Sequence, residues 1–181
     1  MPTPQQTEAR VRDLLAAWDR RDLDGFLAFL TPDIYWHDLG MPYPPAVGHQ
    51  AVRAFCEAVF VAFPDFSYAL RAPMCVAADG LSCVVPWTIR ATNTGVLEPV
   101  GAAPTNRRVE FDGLDYLQFH GDLVTRIETR FDPATVLEQL LDVQVRPSRG
   151  SLRERILIQL QRGRAAWLRH MPRAQTPERP G

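Results

Sequence analysis

The chain of 181 residues has no lysine, only three cysteines and no long apolar run. The last two of these features argue against a membrane-spanning protein and against a cysteine-based metal site. No apolar run approaches the roughly 20 residues that a helix needs to span a bilayer. Cys56, Cys75 and Cys83 are odd in number and lack the spacing of a metal site, so we expect reduced, packed thiols and no metal. Because the N-terminus lacks a basic segment followed by an apolar one, we expect a cytoplasmic protein.

The net charge of −1 conceals an uneven distribution. Residues 149–181 carry eight arginines against two acids, which gives a net charge of +6, while residues 1–148 carry −7. Nucleic-acid-binding domains are basic, so the acidic main body argues against a nucleic-acid partner. We attribute the absence of lysine to codon usage rather than to chemistry.

The length and the charge distribution predict one domain at residues 1–146 and a separate segment at 147–181. The segment reads as a basic amphipathic helix followed by a disordered tail from Pro172. Such a helix can bind membranes or acidic partners. It can also pack on the acidic body or on a second subunit, which we favour, and we expect no membrane association.

Hydrophobic spacing predicts helices in the first third of the chain. Thr3 as a cap and Gln6 three residues later mark the start of the first helix, and Asp22 caps a short second one that ends at Thr31-Pro32-Asp33. A strand at 34–38 follows. A long helix then begins after Gly48 and stops at Pro64, with an apolar stripe at Val52, Phe55, Cys56, Val59, Phe60 and Phe63.

From Phe66 onward the apolar period changes to two, which predicts strands. These strands lie near 66–70, 81–93, 107–119 and 123–131, and Asp132-Pro133 then starts another helix. The order predicts an α+β fold, with one curved antiparallel sheet and helices over its concave face. The cone between the two layers is a natural ligand cavity.

The stretch from Ile34 to Gly48 holds the strongest candidate for chemistry. A short aromatic strand ends in His37 and Asp38, and a proline-rich loop follows. A carboxylate at the end of an apolar strand is placed to act as a buried acid or base. The alternative is that Asp38 only binds the backbone of its own turn.

Short motifs are spread along the chain, namely Arg21-Asp22-Leu23-Asp24, Trp36-His37-Asp38, Gly48, Phe63-Pro64-Asp65, Thr92-Asn93-Thr94-Gly95, Pro104-Thr105, Arg107-Arg108-Val109 and Phe131-Asp132. With these motifs the sequence resembles the SnoaL-like polyketide cyclases, within the superfamily of folds similar to nuclear transport factor 2 and ketosteroid isomerase. The resemblance covers roughly residues 5–142. It implies a nuclear-transport-factor-2-like cone, a homodimer through the outer face of the sheet, and a cavity that needs neither metal nor organic cofactor.

The resemblance also implies roles for two carboxylates. Asp38 corresponds to the general base of ketosteroid isomerases, and Asp115 to their neutral aspartic acid, which binds the substrate oxyanion. In the polyketide cyclases the aspartate of this Gly-x-Asp position is the usual acid/base, so the two roles can be exchanged. The partner tyrosine of the isomerases would fall near Leu14 or Leu15, which leaves their oxyanion hole incomplete. For Asp115 the alternative is a pair with an arginine.

The remaining candidates are residues of the cavity wall. Alignment with the similar limonene epoxide hydrolases places Pro86 and Thr88 towards the cavity, and Arg90 shares their face of the strand. There Arg90 would clamp a substrate carboxylate or, as we favour, pair with Asp115 or Asp38. His37 should point away from the cavity. Four further wall residues are predicted by position, namely Trp36, Met41, Tyr43 and Thr129, and an outward ladder is predicted at Arg126, Glu128 and Arg130.

These patterns predict an enzyme that uses its own side chains for acid/base catalysis. We expect a cyclase or isomerase, of the lyase or isomerase class, that acts on a small apolar polyketide-like or terpenoid-like carbonyl compound. Two carboxylates in one apolar cavity have their pKa values pushed apart, which suits abstraction of a proton α to a carbonyl. The alternative is a non-catalytic ligand-binding or protein-interaction module of the same fold.

Overall fold

The computed structural model describes residues 2–39, 45–99 and 101–170, and it divides into a compact unit that ends at Val143 and a second that begins at Gln144. The helices in the described residues are α1 Pro4–Asp19, α2 Leu23–Leu27, α3 Gly48–Ala62, α4 Pro133–Leu141 and α5 Leu152–His170. The strands are β1 Leu30–Asp38, β2 Ala46–Val47, β3 Ser67–Leu70, β4 Cys75–Val76, β5 Ser82–Thr92, β6 Arg108–His120 and β7 Leu123–Phe131.

One sheet runs through the first unit in the order β2-β1-β7-β6-β5-β3, with β4 beside β5. The predicted α+β fold is confirmed, and the strands predicted from Phe66 onward are antiparallel neighbours. The predicted antiparallel sheet has one parallel pair, formed by β1 and β7. Parallel neighbours need a long crossover, and here α3 and the strands between β1 and β7 provide it.

β1 begins four residues before its predicted start. Leu30 already pairs with Val124, and the register shifts between Leu30 and Tyr35. The interruption predicted at residues 31–33 is therefore an irregularity inside the strand, with Pro32 at a place where it is exposed and needs no ladder hydrogen bond. α2 ends correspondingly early, at Leu27.

Side-chain caps start three of the helices of the first unit. The predicted capping box is present in α1, since Gln6 and Thr3 each bind the backbone N–H of the other. The carboxylates of Asp22 and Asp132 accept from backbone N–H groups at the starts of α2 and α4. Each cap satisfies a donor that the first helical turn leaves unpaired.

The core lies between the concave face of the sheet and helices α1, α2 and α3. Trp18 is at its centre, with its ring in contact with Phe26, Trp36, Phe60 and Phe66. The stripe predicted on α3 is only partly buried, since Val52 and Cys56 are inaccessible whereas Phe55, Val59 and Phe60 keep some exposure. The core is therefore incomplete on this side.

A buried asparagine fastens the end of α3 to the loop after β5. The side chain of Asn93 donates to the carbonyl oxygens of Ala62 and Gly95, at 3.3 and 3.0 Å, and accepts from the backbone N–H of Thr105 at 2.8 Å. Only 4% of Asn93 is exposed, so its side-chain amide depends on these backbone partners rather than on water.

We predict that Asn93→Ala lowers the free energy of unfolding by about 2–4 kcal/mol, because the hydrogen bonds of the Asn93 amide to Ala62, Gly95 and Thr105 are lost. Urea denaturation followed by circular dichroism measures the change. Thr94→Ala is the matched control, since the neighbouring Thr94 side chain is exposed. Equal losses in the two variants would contradict the role assigned to the Asn93 amide.

Candidate functional site

A cavity of about 430 Å³ lies between the helices and the concave face of the sheet, within the usual range for small-molecule sites. Its walls are mostly aromatic and aliphatic. Val136, Leu137 and Leu140 of α4 form part of the wall, as do Leu14 and Leu15 of α1. The aromatic part consists of Trp18, Phe26, Trp36, Phe55, Phe63, Phe66, Tyr68, Trp87, Phe111 and Phe131.

Both predicted carboxylates line this one cavity. In the register of the sheet Asp38 of β1 lies beside Thr129 of β7, which in turn lies beside Asp115 of β6. Neighbouring strands are about 4.8 Å apart, so the backbones of the two aspartates are separated by roughly 9–10 Å. A small substrate in the cavity can therefore contact both carboxylates at once.

Asp115 is the acceptor at the end of a directed chain of hydrogen bonds. The indole N–H of Trp36 donates to Thr129 Oγ1 at 3.0 Å, and Thr129 Oγ1 lies 2.7 Å from Asp115 Oδ1. Because an indole N–H can only donate, the threonine hydroxyl accepts from Trp36 and gives its own proton to Asp115. Tyr68 donates to the other carboxylate oxygen, Oδ2, at 3.2 Å.

Burial and these donors act in opposite directions on the pKa of Asp115. Burial raises the pKa from 3.8 to about 6, and Thr129, Trp87 and Tyr68 each limit the rise. Burial, followed by the nearby Asp115 carboxylate, raises the pKa of Tyr68 well above its ordinary value, so Tyr68 keeps its proton. Asp115 thus titrates close to neutral pH while its neighbour remains a donor.

Of the predicted wall residues, Trp36 and Thr129 line the cavity. Trp36 packs edge-to-face on Phe55 at 5.2 Å between ring centroids. Met41 and Tyr43 lie outside the described residues.

Asp115 does not pair with an arginine in the described part of the chain. Its hydrogen-bond donors are Thr129 and Tyr68, and no arginine contributes to the cavity wall there.

The prediction that Thr88 and Arg90 face the cavity is wrong. Both lie on the outer face of β5, where Thr88 donates to Asp112 at 2.6 Å and Arg90 forms an ion pair with Glu110 at 2.9 Å. The residues of β5 that point inward are Val85, Trp87 and Ile89. Strand side chains alternate between faces, so an alignment that is wrong by one residue exchanges the two sets.

The outward ladder predicted on β7 is confirmed. Glu128 forms ion pairs with Arg126 and Arg130, both at 2.5 Å, and the guanidinium of Arg126 lies over the ring of Tyr35. Arg126 is the main cause of the lowered pKa of Glu128. His37 lies beside Glu128 in the register, on the face opposite to Asp38, as its position in the strand predicts.

Two residues of the site were not among the sequence candidates, namely Tyr68 and Trp87. Both belong to strands that the sequence does predict, and both contribute to the cavity wall. In the second half of β5 the inward positions Trp87, Ile89 and Ala91 are apolar, whereas the alternate positions Thr88, Arg90 and Thr92 are polar. This alternation alone would have pointed to Trp87.

None of the helices in residues 2–39, 45–99 and 101–170 has both the length and the apolarity that crossing a membrane requires. The histidine, cysteine, aspartate and glutamate side chains of these residues do not form a group of three or more that could hold a metal ion.

We predict that stability depends on pH through Asp115. Its pKa is about 6 in the folded protein and near 3.8 when unfolded, so its contribution is fully present below about pH 4 and is lost as the pH rises through about 6. The loss amounts to at most about 3 kcal/mol. Urea denaturation between about pH 4 and pH 8 should show this loss in the wild type and in the exposed-site control Asp13→Asn, but not in Asp115→Asn.

We predict that Thr129→Val raises the pKa of Asp115 further, because the carboxylate loses its shortest hydrogen bond. Carbon-13 NMR titration of the aspartate carboxyl groups measures the shift, with Asp115→Asn identifying the signal. Thr129→Ser keeps the hydroxyl and should leave the pKa near that of the wild type. A pKa that is equal in the valine and serine variants would contradict the directed chain.

Several solved structures share this fold at low identity. AclR from Streptomyces galilaeus, a proposed hydroxylase, is 23% identical, with a TM-score of 0.64 and coverage of 93% of this chain and 97% of its own. An NTF2-like protein of unknown function from Burkholderia pseudomallei is 28% identical, with a TM-score of 0.62 over 77% of this chain and 98% of its own. A proposed polyketide cyclase from Xanthomonas campestris is 18% identical, with a TM-score of 0.63 over 75% of this chain and 97% of its own.

The family follows from a match in sequence. Among curated proteins, none is similar enough to count as a match. A family model described as the SnoaL-like domain, however, matches residues 11–127, which is more than half of the chain and includes α2, α3, Asp38 and Asp115. The protein therefore belongs to the SnoaL-like domain family.

Proposed function

We propose that this protein is an acid/base enzyme, a cyclase or isomerase, that acts on a carbonyl compound with an apolar polyketide-like or terpenoid-like frame. The observation that carries the proposal is the presence of Asp38 and Asp115 in one apolar cavity. The aromatic walls suit a largely apolar frame, and the polar groups on the sheet suit its carbonyl end. Membership of the SnoaL-like domain family supports a role of this general kind.

Asp115 is the better candidate for the general base. A catalytic base works best when its pKa lies near the working pH, and the pKa of Asp115 is about 6. The donors directed at its two oxygens favour the ionised form, in which it can accept a proton. This assignment follows the polyketide cyclases and exchanges the roles that the ketosteroid isomerases imply.

Tyr68 is the candidate donor for the enolate oxygen. When Asp115 removes a proton α to the carbonyl, the negative charge passes from the carboxylate to the substrate oxygen. The hydroxyl of Tyr68 is then no longer needed by a charged carboxylate and can turn towards that oxygen. In this way a tyrosine from β3 replaces the one that the isomerases carry on their first helix.

Asp38 is the candidate second acid/base group. It lies two strands away from Asp115, across Thr129, so the two carboxylates contact different parts of one substrate. Return of the proton at a second carbon gives an isomerase. Attack of the enolate carbon on a second carbonyl of the same molecule gives a cyclase, with Asp38 as donor to the new alkoxide.

We predict that Asp115→Asn slows exchange of the substrate α-proton by about 10²–10⁴-fold, because the amide cannot accept the proton. A thermal-shift screen of polycyclic and hydroxyaryl ketones identifies a ligand, and proton NMR in deuterium oxide follows the exchange. Ligand binding should persist in the variant. Asp38→Asn should keep the exchange but lose product formation.

The matched control is Asp112→Asn, on the outer face of the same strand as Asp115. It should exchange and convert substrate like the wild type. If ketones raise the melting temperature but the wild type exchanges no proton, a non-catalytic ligand-binding module replaces the enzyme as the conclusion.

A further inference from the structure

Trp87 lies on the inward face of β5, directly opposite Gly113 of β6 in the register of the sheet. Its side chain is 1% exposed. The indole packs among Tyr68, Phe111 and Phe131, with ring centroids 5.8, 5.8 and 6.3 Å away. Neighbours on several sides therefore fix the plane of the indole ring.

Gly113 leaves the space that the indole occupies. A Cβ atom at this position would lie 2.2 Å from Cη2 and 2.5 Å from Cζ2 of Trp87, and 2.7 Å from the carbonyl oxygen of Arg130. Such distances are far below van der Waals contact, so another residue would displace the ring or the strand. Cζ2 lies on the same edge of the indole as Nε1, and this edge therefore faces β6.

The N–H on that edge is buried and has no hydrogen-bond partner within the described residues. Asp115 follows Gly113 by two residues on the same face of β6, so its carboxylate lies near this N–H. The N–H is close enough to lower the pKa of Asp115, although its geometry falls short of a full hydrogen bond. A buried donor without a partner is costly, which makes its place beside a carboxylate significant.

We propose that Gly113 and Trp87 act together as positioning residues for Asp115, the glycine by admitting the indole and the indole by directing its N–H at the carboxylate. The spacing Gly-x-Asp then has a physical reason, because it places the space for the ring and the carboxylate on one face. The indole is placed by its contact with Gly113 and by the register of β5 and β6. Its importance for catalysis rests on the proposed function.

The other groups that face Asp115 come from three strands. Tyr68 of β3 and Thr129 of β7 donate to its two oxygens. Among the described residues, Asp38 of β1 and Tyr68 are the other titratable side chains that line the cavity. Since neither of these is positively charged, uncharged donors such as the indole are what stabilise the carboxylate of Asp115.

The test is the pKa of Asp115, measured by carbon-13 NMR titration of the unliganded protein. Trp87→Phe should raise this pKa by about half a unit to one unit, because a donor to the charged form is lost. Trp18→Phe is the matched control. Its indole N–H is also buried without a hydrogen-bond partner among the described residues. Trp18 lines the same cavity, yet its ring packs against Phe26 and Phe60.

Gly113→Ala should raise the pKa in the same direction, and combining it with Trp87→Phe should add little, because the glycine acts through the indole. An unchanged pKa in Trp87→Phe, or an equal shift in Trp18→Phe, would overturn the proposal. If Gly113→Ala does not fold, the comparison of the two tryptophan variants still decides. Absence of proton exchange in the wild type would refute the proposed function and leave this titration valid.

Discussion

A carboxylate surrounded by protein keeps its charge only where hydrogen-bond donors point at it, and Asp115 depends on this constraint. The donors come from different strands. The hydroxyl of Tyr68 on β3 donates to one carboxylate oxygen, and the hydroxyl of Thr129 on β7 donates to the other. Trp36 fixes the direction of the threonine hydroxyl, since its indole can only donate. The hydroxyl hydrogen bonds of one acid thus depend on side chains from β1, β3 and β7.

The sheet makes this convergence possible through its register. Asp38, Thr129 and Asp115 lie side by side on neighbouring strands, and the curvature of the sheet turns all three towards the helices. The helices supply apolar surface on the other side, which lowers the local polarity and raises the pKa of Asp115. The same geometry places charged pairs such as Arg90 and Glu110 on the outer face, away from the cavity.

The sequence was sufficient to predict the fold class, the capping box of α1 and the turn from helices to strands near Phe66. These features depend on local spacing, which can be read from one chain. It also singled out Asp38 and Asp115 as candidates, and the structure is what brings them to one cavity. The sequence misplaced Thr88 and Arg90 because a one-residue shift in alignment exchanges the inward-facing and outward-facing side chains of a strand. The alternation of apolar and polar residues from Trp87 to Thr92 indicates which side chains of β5 face inward.

Other features depend on contacts between distant parts of the chain, which no local pattern contains. The parallel pairing of β1 with β7 and the hydrogen bond from Tyr68 to Asp115 are of this kind. The same is true of the space that Gly113 leaves for Trp87 on the neighbouring strand. Gly113 and Trp87 are far apart in sequence, and only the register shows that they are partners.

The parallel pair also bears on how the protein folds. Asp38 and Thr129 are about 90 residues apart in the chain, and the segment between them includes the strands from β2 to β6. Closing so long a loop is entropically costly, and contacts of this separation form slowly. We infer that the hairpins of the sheet form first, and that the cavity acquires its second carboxylate only when β1 docks, in a late step of folding.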